Sequence, residues 1–207
     1  MVLLRKIRWW LFAASCLLIG LYPLMYFVVD RRFGLLGSKS ETLLSDVLWN
    51  IGFYGHILLG GLALLIGWMQ FSTKLRKRNL TLHRNIGKVY VIAVLISGTC
   101  SLYIGFHATG GLISMLGFLS LGVIWLYTTI RSYLAIKKRD TIRHEIMMIY
   151  SYAACFGAVT LRIWLPLLIY GTGGFLVAYK IVAWLSWVPN MIVAYLIVRE
   201  KQARISK

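Results

Sequence analysis

The sequence predicts an all-α protein: a polytopic transmembrane bundle of six helices, with both termini in the cytoplasm. Three observations predict it. First, the chain of 207 residues is 59% hydrophobic with a mean hydropathy of +0.75, whereas soluble domains run nearer about 45–50% apolar. A domain of this size cannot hide so much apolar surface from water, so its solvent is lipid. Second, six segments stay apolar for about 20 residues, the length a helix needs to cross a bilayer. They lie at roughly 7–29, 47–71, 86–106, 111–135, 145–170 and 175–198. No strand-like alternation competes with them. Third, the basic residues fall in alternate connections.

Span one follows a basic start (Arg5, Lys6, Arg8) and lacks a small-x-small cleavage site, so it reads as a retained helix and not a cleaved signal peptide. Its connection to span two is balanced: Arg31, Arg32 and Lys39 stand against Asp30, Glu41 and Asp46. Spans two and three are joined by Lys74, Arg76, Lys77, Arg78 and Arg84. Spans four and five are joined by Lys137, Lys138, Arg139 and Arg143. Arg199, Lys201, Arg204 and Lys207 follow span six, whereas HATGG and GTGG carry neither Lys nor Arg. Basic loops stay on the cytoplasmic side, so the pattern predicts a protein of the inner cell membrane whose net charge of +17 faces anionic lipid headgroups. Nucleic acid is not implied, because the basic runs are short and separated by apolar spans. The connections are short, so the whole chain, 1–207, reads as one antiparallel bundle.

The pairs Gly110–Gly111 and Gly173–Gly174 predict tight turns. Gly60, Gly61, Gly67 and Gly98 predict close helix contacts. Pro166 and Pro189 predict kinks. Cys16, Cys100 and Cys155 lie inside apolar spans with no ligand spacing and read as packing residues.

Polar residues inside spans carry the chemistry. TLHRNIGKVY (81–90) and TIRHEIMMIY (141–150) look alike and place His83 and His144 at the basic mouths of spans three and five. Tyr90 and Tyr150 follow about two helical turns later. His56 lies about ten residues into span two, and Arg162 about 18 residues into span five, at a similar depth. No Asp or Glu sits mid-span to pair with Arg162, and a buried cation costs at least about 2.5 kcal/mol.

Histidines projecting inward from different helices are how bundles hold b-type haem, with an arginine pairing a propionate. The pattern therefore predicts haem b on His83 and His144, with Arg162 and His56 lining the same polar site and a quinone or another redox protein as partner. The alternatives are a transporter or lipid-interacting protein with a cavity lined by His56 and Arg162, or a non-catalytic assembly partner. His107, beside a glycine turn, reads as structural. HExxH, GxSxG, P-loop and dinucleotide motifs are absent, and the acids lie in loops, so paired-carboxylate chemistry within the membrane is excluded.

From about His56 to Pro166 the chain resembles a family of predicted bacterial membrane proteins known as DUF2306, a domain of unknown function. The resemblance rests on His56 followed by GWMQF, HRNIGKVY from His83, GGLISMLGF from Gly110, WLYTT from Trp125, KKRDTIRH ending at His144, and AVTLR ending at Arg162 with Pro166 beyond. It departs at HEIMM, where Glu145 and Met147 stand in the family's Arg and Trp places. The resemblance implies a multi-span membrane protein and no particular activity. His56, His83, His144 and Arg162 fall on its polar positions; His107 does not.

Overall fold

Short polar residues, more than hydropathy, decide where each apolar segment becomes helix. The structure, a computed structural model, describes residues 2–30 and 34–205. Arg31, Arg32, Lys207 and the side chain of Arg5, which enter the charge pattern, lie outside the described residues. Helix α1 (Val2–Leu21) tightens into a 3-10 turn over Tyr22–Phe27, with Pro23 in its first turn. A linker holding a 3-10 turn (Gly34–Ser38) and α2 (Glu41–Ser45) leads to α3 (Val47–Gly67). The Asp46 carboxylate caps α3 by accepting from the Leu48 and Trp49 N–H groups at 2.8 and 3.3 Å. A 3-10 turn over Trp68–Phe71 and α4 (Thr73–Arg78) then lead to α5 (Leu80–Gly105), α6 (Leu112–Lys137) and α7 (Thr141–Cys155). The chain ends with α8 (Gly157–Thr172), α9 (Phe175–Leu185) and α10 (Val188–Ile205).

Spans three and five begin at Leu80 and Thr141, earlier than the apolar runs alone suggest. Asn79 Oδ1 accepts from the Leu82 N–H at 2.9 Å, and Asp140 Oδ1 from the Arg143 N–H at 2.9 Å. Such caps satisfy donors that a helix start leaves open, so the helix extends through charged residues at the bundle rim.

Spans five and six are each two helices. Pro189 behaves as expected: it is the second residue of α10, just after the break at Ser186–Trp187. Pro166 does not. It lies within an unbroken α8, and span five breaks at Phe156. There the Val159 N–H bonds to the Phe156 carbonyl at 2.9 Å, a tight turn just after Gly157. A proline removes one ladder bond, and a single missing bond leaves the surrounding helix intact here.

The six spans run up and down. α3 packs on α5, α5 on α6, α6 on α7, α8 on α9, and α1 on α3. Both termini therefore lie at the end that carries the basic runs. The periphery is apolar: Leu18 is 72% exposed, Leu112 64% and Ile51 63%. Surfaces this apolar face lipid, and only structures that pair their backbone internally can cross it. Close glycine contacts occur where expected. A Cβ on Gly61 would lie 2.6 Å from the Gly20 carbonyl oxygen, and one on Gly98 would lie 2.6 Å from Leu126.

The linker before α3 folds over the end opposite the basic runs. Leu36 and Leu44 pack with Trp49 and Phe53. Lys39 Nζ donates to the His107 carbonyl, and Ser38 Oγ lies 3.1 Å from Thr109 Oγ1. His107 thus serves as an anchor for this cap. Burial pushes the Lys39 ammonium down to about 8, against about 10.4 for a free lysine. Between those values the unfolded chain binds more protons than the folded one, so this residue's contribution to stability rises with pH across that window. The thermal midpoint of the wild type, relative to Lys39→Met, should climb between pH 8 and pH 10; a difference flat with pH would refute the assignment.

Candidate functional site

The caps that start α5 and α7 also align the two histidines. His83 follows Asn79 by four residues, and His144 follows Asp140 by four. Each is the first residue of its helix to bond back to the cap carbonyl, at 3.1 and 3.0 Å. This register differs by one from the alignment of the two decamers. It sets Tyr90 opposite Ser151, and Tyr150 takes no part. The two groups meet: Tyr90 Oη lies 2.8 Å from Ser151 Oγ, which lies 2.6 Å from Thr129 Oγ1. Trp125 Nε1 donates to Tyr90 Oη at 3.5 Å. A buried chain of hydroxyls therefore joins α5, α6 and α7 two turns inside the histidines.

Two of the histidines are held by the same device. His56 Nδ1 lies 3.1 Å from the Ser97 carbonyl and 3.2 Å from Ser97 Oγ, while Ser97 Oγ donates back to the His56 carbonyl at 2.9 Å. His144 Nδ1 lies 3.1 Å from the Ser132 carbonyl and 2.8 Å from Ser132 Oγ, and Ser132 Oγ donates to the His144 carbonyl at 3.0 Å. A carbonyl only accepts, and each hydroxyl has spent its proton on the histidine's backbone. Both Nδ1 atoms must therefore carry hydrogen, which leaves Nε2 as the ring nitrogen that holds the lone pair whenever the imidazole is neutral. A carbonyl partner at Nδ1 is the arrangement that prepares an imidazole for a metal.

The four predicted residues do not gather at one place. His83 and His144 stand together at the basic end, close enough for charge on one to act on the other, with Arg76 and Arg84 also in range of His83. Among the described residues three buried polar atoms of this half of the bundle have no hydrogen-bond partner: His83 Nδ1, Gln70 Nε2 and Trp68 Nε1. Gly87, one turn beyond His83, leaves its face bare: a Cβ there would meet only Gln70 Oε1, at 3.6 Å. Buried polar atoms without partners are rare in folded proteins, and Gln70 borders the face of α5 that His83 and Gly87 share. Among the described residues, no three His, Cys, Asp or Glu side chains converge as metal ligands. Two imidazoles suit a metal whose remaining ligands come from a macrocycle.

His56 and Arg162 form a separate cluster toward the other end, within range of each other's charge. Arg162 follows His144 by eighteen residues, ~27 Å at helical rise, too far to contact a group held at the basic mouth. Arg76 and Arg84 are the cations near His83 instead.

A model of the family described as predicted membrane protein, DUF2306, matches residues 53–198. The chain belongs to this family. No curated protein and no solved structure matches the chain. In this DUF2306 protein, Glu145 pairs with Lys201 of α10, three residues beyond the matched region. Ser97, Ser132, Gln70 and the Tyr90–Ser151 pair escape a sequence reading, because isolated serines and glutamines in apolar spans have no spacing that names their partners. The only signal is that a hydroxyl in lipid needs an acceptor nearby.

Proposed function

We propose that this DUF2306 protein binds one b-type haem at its basic end and passes electrons within the inner membrane, with a membrane quinone as partner. The observation that carries the reading is the pair His83 and His144: matched in helical register, near each other, with His144 held by Ser132 so that Nε2 is free. The residues present fit the group. His83 and His144, on different helices, would hold the iron, the open face at Gly87 would lie against the flat ring, and Arg76 and Arg84 would pair with propionates. Haem b, when bound, supplies one-electron iron chemistry. The protein's own part is to orient the His144 imidazole through Ser132, to offer the Gln70 N–H group, and to keep water out with the aromatic floor of Phe71, Tyr90 and Tyr152, where the Phe71 and Tyr152 ring centroids lie 5.2 Å apart.

The deciding experiment is a reduced-minus-oxidised spectrum of protein purified in mild detergent from haem-replete cells. A Soret band with sharp α and β bands is expected; a colourless protein overturns the reading. The proposal also puts the basic end, and so both termini, in the cytoplasm. A reporter fused after Lys207 should read cytoplasmic, and an extracytoplasmic signal would reverse the bundle.

A further inference from the structure

Arg162 is a partly buried cation, and no anion pairs with it among the described residues. Its Nη1 donates to the Ala158 carbonyl of its own helix at 3.0 Å, and its guanidinium carbon sits 4.4 Å from the centroid of the Tyr22 ring. Its Nε is buried and has no hydrogen-bond partner among the described residues. Among the described residues no carboxylate forms an ion pair with it. A ring face offsets only part of what a cation loses on leaving water. The surroundings are built to receive acceptors. Tyr26 packs edge-on against Tyr22 with ring centroids 6.0 Å apart, and its hydroxyl is one of two within range of the guanidinium charge. Both hydroxyl oxygens come within 4.0 Å of where a side chain on Gly34 would begin, so they lie under the cap. His56, held at Nδ1 by Ser97, lies within range of the guanidinium charge.

We infer that Arg162, with Tyr22, Tyr26 and His56, forms a binding site for an oxyanion, a phosphate or carboxylate group, beneath the cap formed by residues 34–45. The guanidinium edge that carries Nε is the donor edge suited to side-on contact with such a group, and the tyrosine hydroxyls supply further donors. The tyrosines come from the first span, which precedes the region matched to the family, so this part of the site belongs to the chain's own N-terminal segment. The inference does not depend on haem at the other end. The oxyanion can belong to a lipid headgroup or to a free solute.

The test is thermal unfolding of the purified full chain. In neutral detergent, inorganic phosphate and acetate are compared with chloride at matched ionic strength; separately, nanodiscs of phosphatidylglycerol are compared with nanodiscs of phosphatidylcholine. One of the anionic probes should raise the midpoint by roughly 5–10 °C, as a ligand at about 100 times its Kd does for a protein of this size. A shift with phosphate or acetate identifies a free anion; a shift only with phosphatidylglycerol identifies a headgroup. Arg162→Lys keeps the charge but loses the fork, and Arg162→Met loses both; each should abolish the shift, and the methionine variant without ligand should melt no lower than the wild type. A wild-type midpoint that none of the probes moves, or a shift that survives in both variants, overturns the site.

Discussion

If His83 and His144 hold haem as proposed, His144→Ala should remove the α band from the reduced spectrum and leave the protein folded and inserted, with a melting profile close to that of the parent without haem. His83→Ala should do the same. The expectation follows from the count of ligands: each imidazole comes from a different helix, and no other histidine stands at that depth, because His56 and His107 lie toward the opposite end. Ser132→Ala separates this from a general packing effect. Its hydroxyl touches only His144, at Nδ1 and at the backbone carbonyl. The Ser132 carbonyl survives the substitution and still holds Nδ1. Losing one outer partner of a metal-bound histidine weakens metal binding by about 10–100-fold, so this variant should bind haem weakly and yet fold. Titration of haem into the apo forms measures all three. Equal haem content in Ser132→Ala and wild type would show that the clasp is merely structural.

The same geometry explains which parts of the site a sequence can disclose. The spans, the glycine turns and the family are carried by hydropathy, charge and a set of spaced motifs, and each is a property of one segment at a time. The depth of each histidine follows from counting along one helix. Which polar residues meet is a property of two helices, fixed by rotation and register. The decamers illustrate the limit. Aligned on their threonines they pair Tyr90 with Tyr150; aligned on the caps Asn79 and Asp140 they pair Tyr90 with Ser151, as the structure has it. One residue of register turns a helix by about 100°, enough to replace a buried partner with a half-buried bystander. The helical rise that separates Arg162 from His144 could be computed from the sequence alone. Of the cations that replace it beside His83, Arg84 is its neighbour in sequence, but Arg76 could not be placed there, because it lies on a short helix, α4, whose return toward α5 no periodicity announces.

Gly67→Ala should destabilise the protein by about 1–3 kcal/mol, the range for forcing an extra methyl into a packed core. A Cβ at Gly67 would collide with the Tyr152 ring and come within 2.9 Å of the Tyr90 ring. Neither ring is free to yield. Tyr152 is 3% exposed, and its hydroxyl donates to the Leu64 carbonyl at 2.9 Å with Cys16 Sγ at 3.1 Å, so both ends of the side chain are fixed. Tyr90 is fully buried and tied to Ser151. The backbone of α3 cannot shift outward without disturbing α1, which it meets at the Gly20–Gly61 contact. Only removal of the Tyr152 ring relieves the strain. Tyr152→Leu alone should cost stability through the lost ring and the lost hydrogen bond. Combined with Gly67→Ala, it should cost less than the sum of the two single changes, because residues in contact do not act independently. Denaturant or thermal midpoints of the four proteins decide the point. Strict additivity would mean that the methyl meets no ring and that α3 and α7 do not pack at Gly67. In that case the aromatic floor beneath His83 and His144 would not be rigid enough to hold two imidazoles in register.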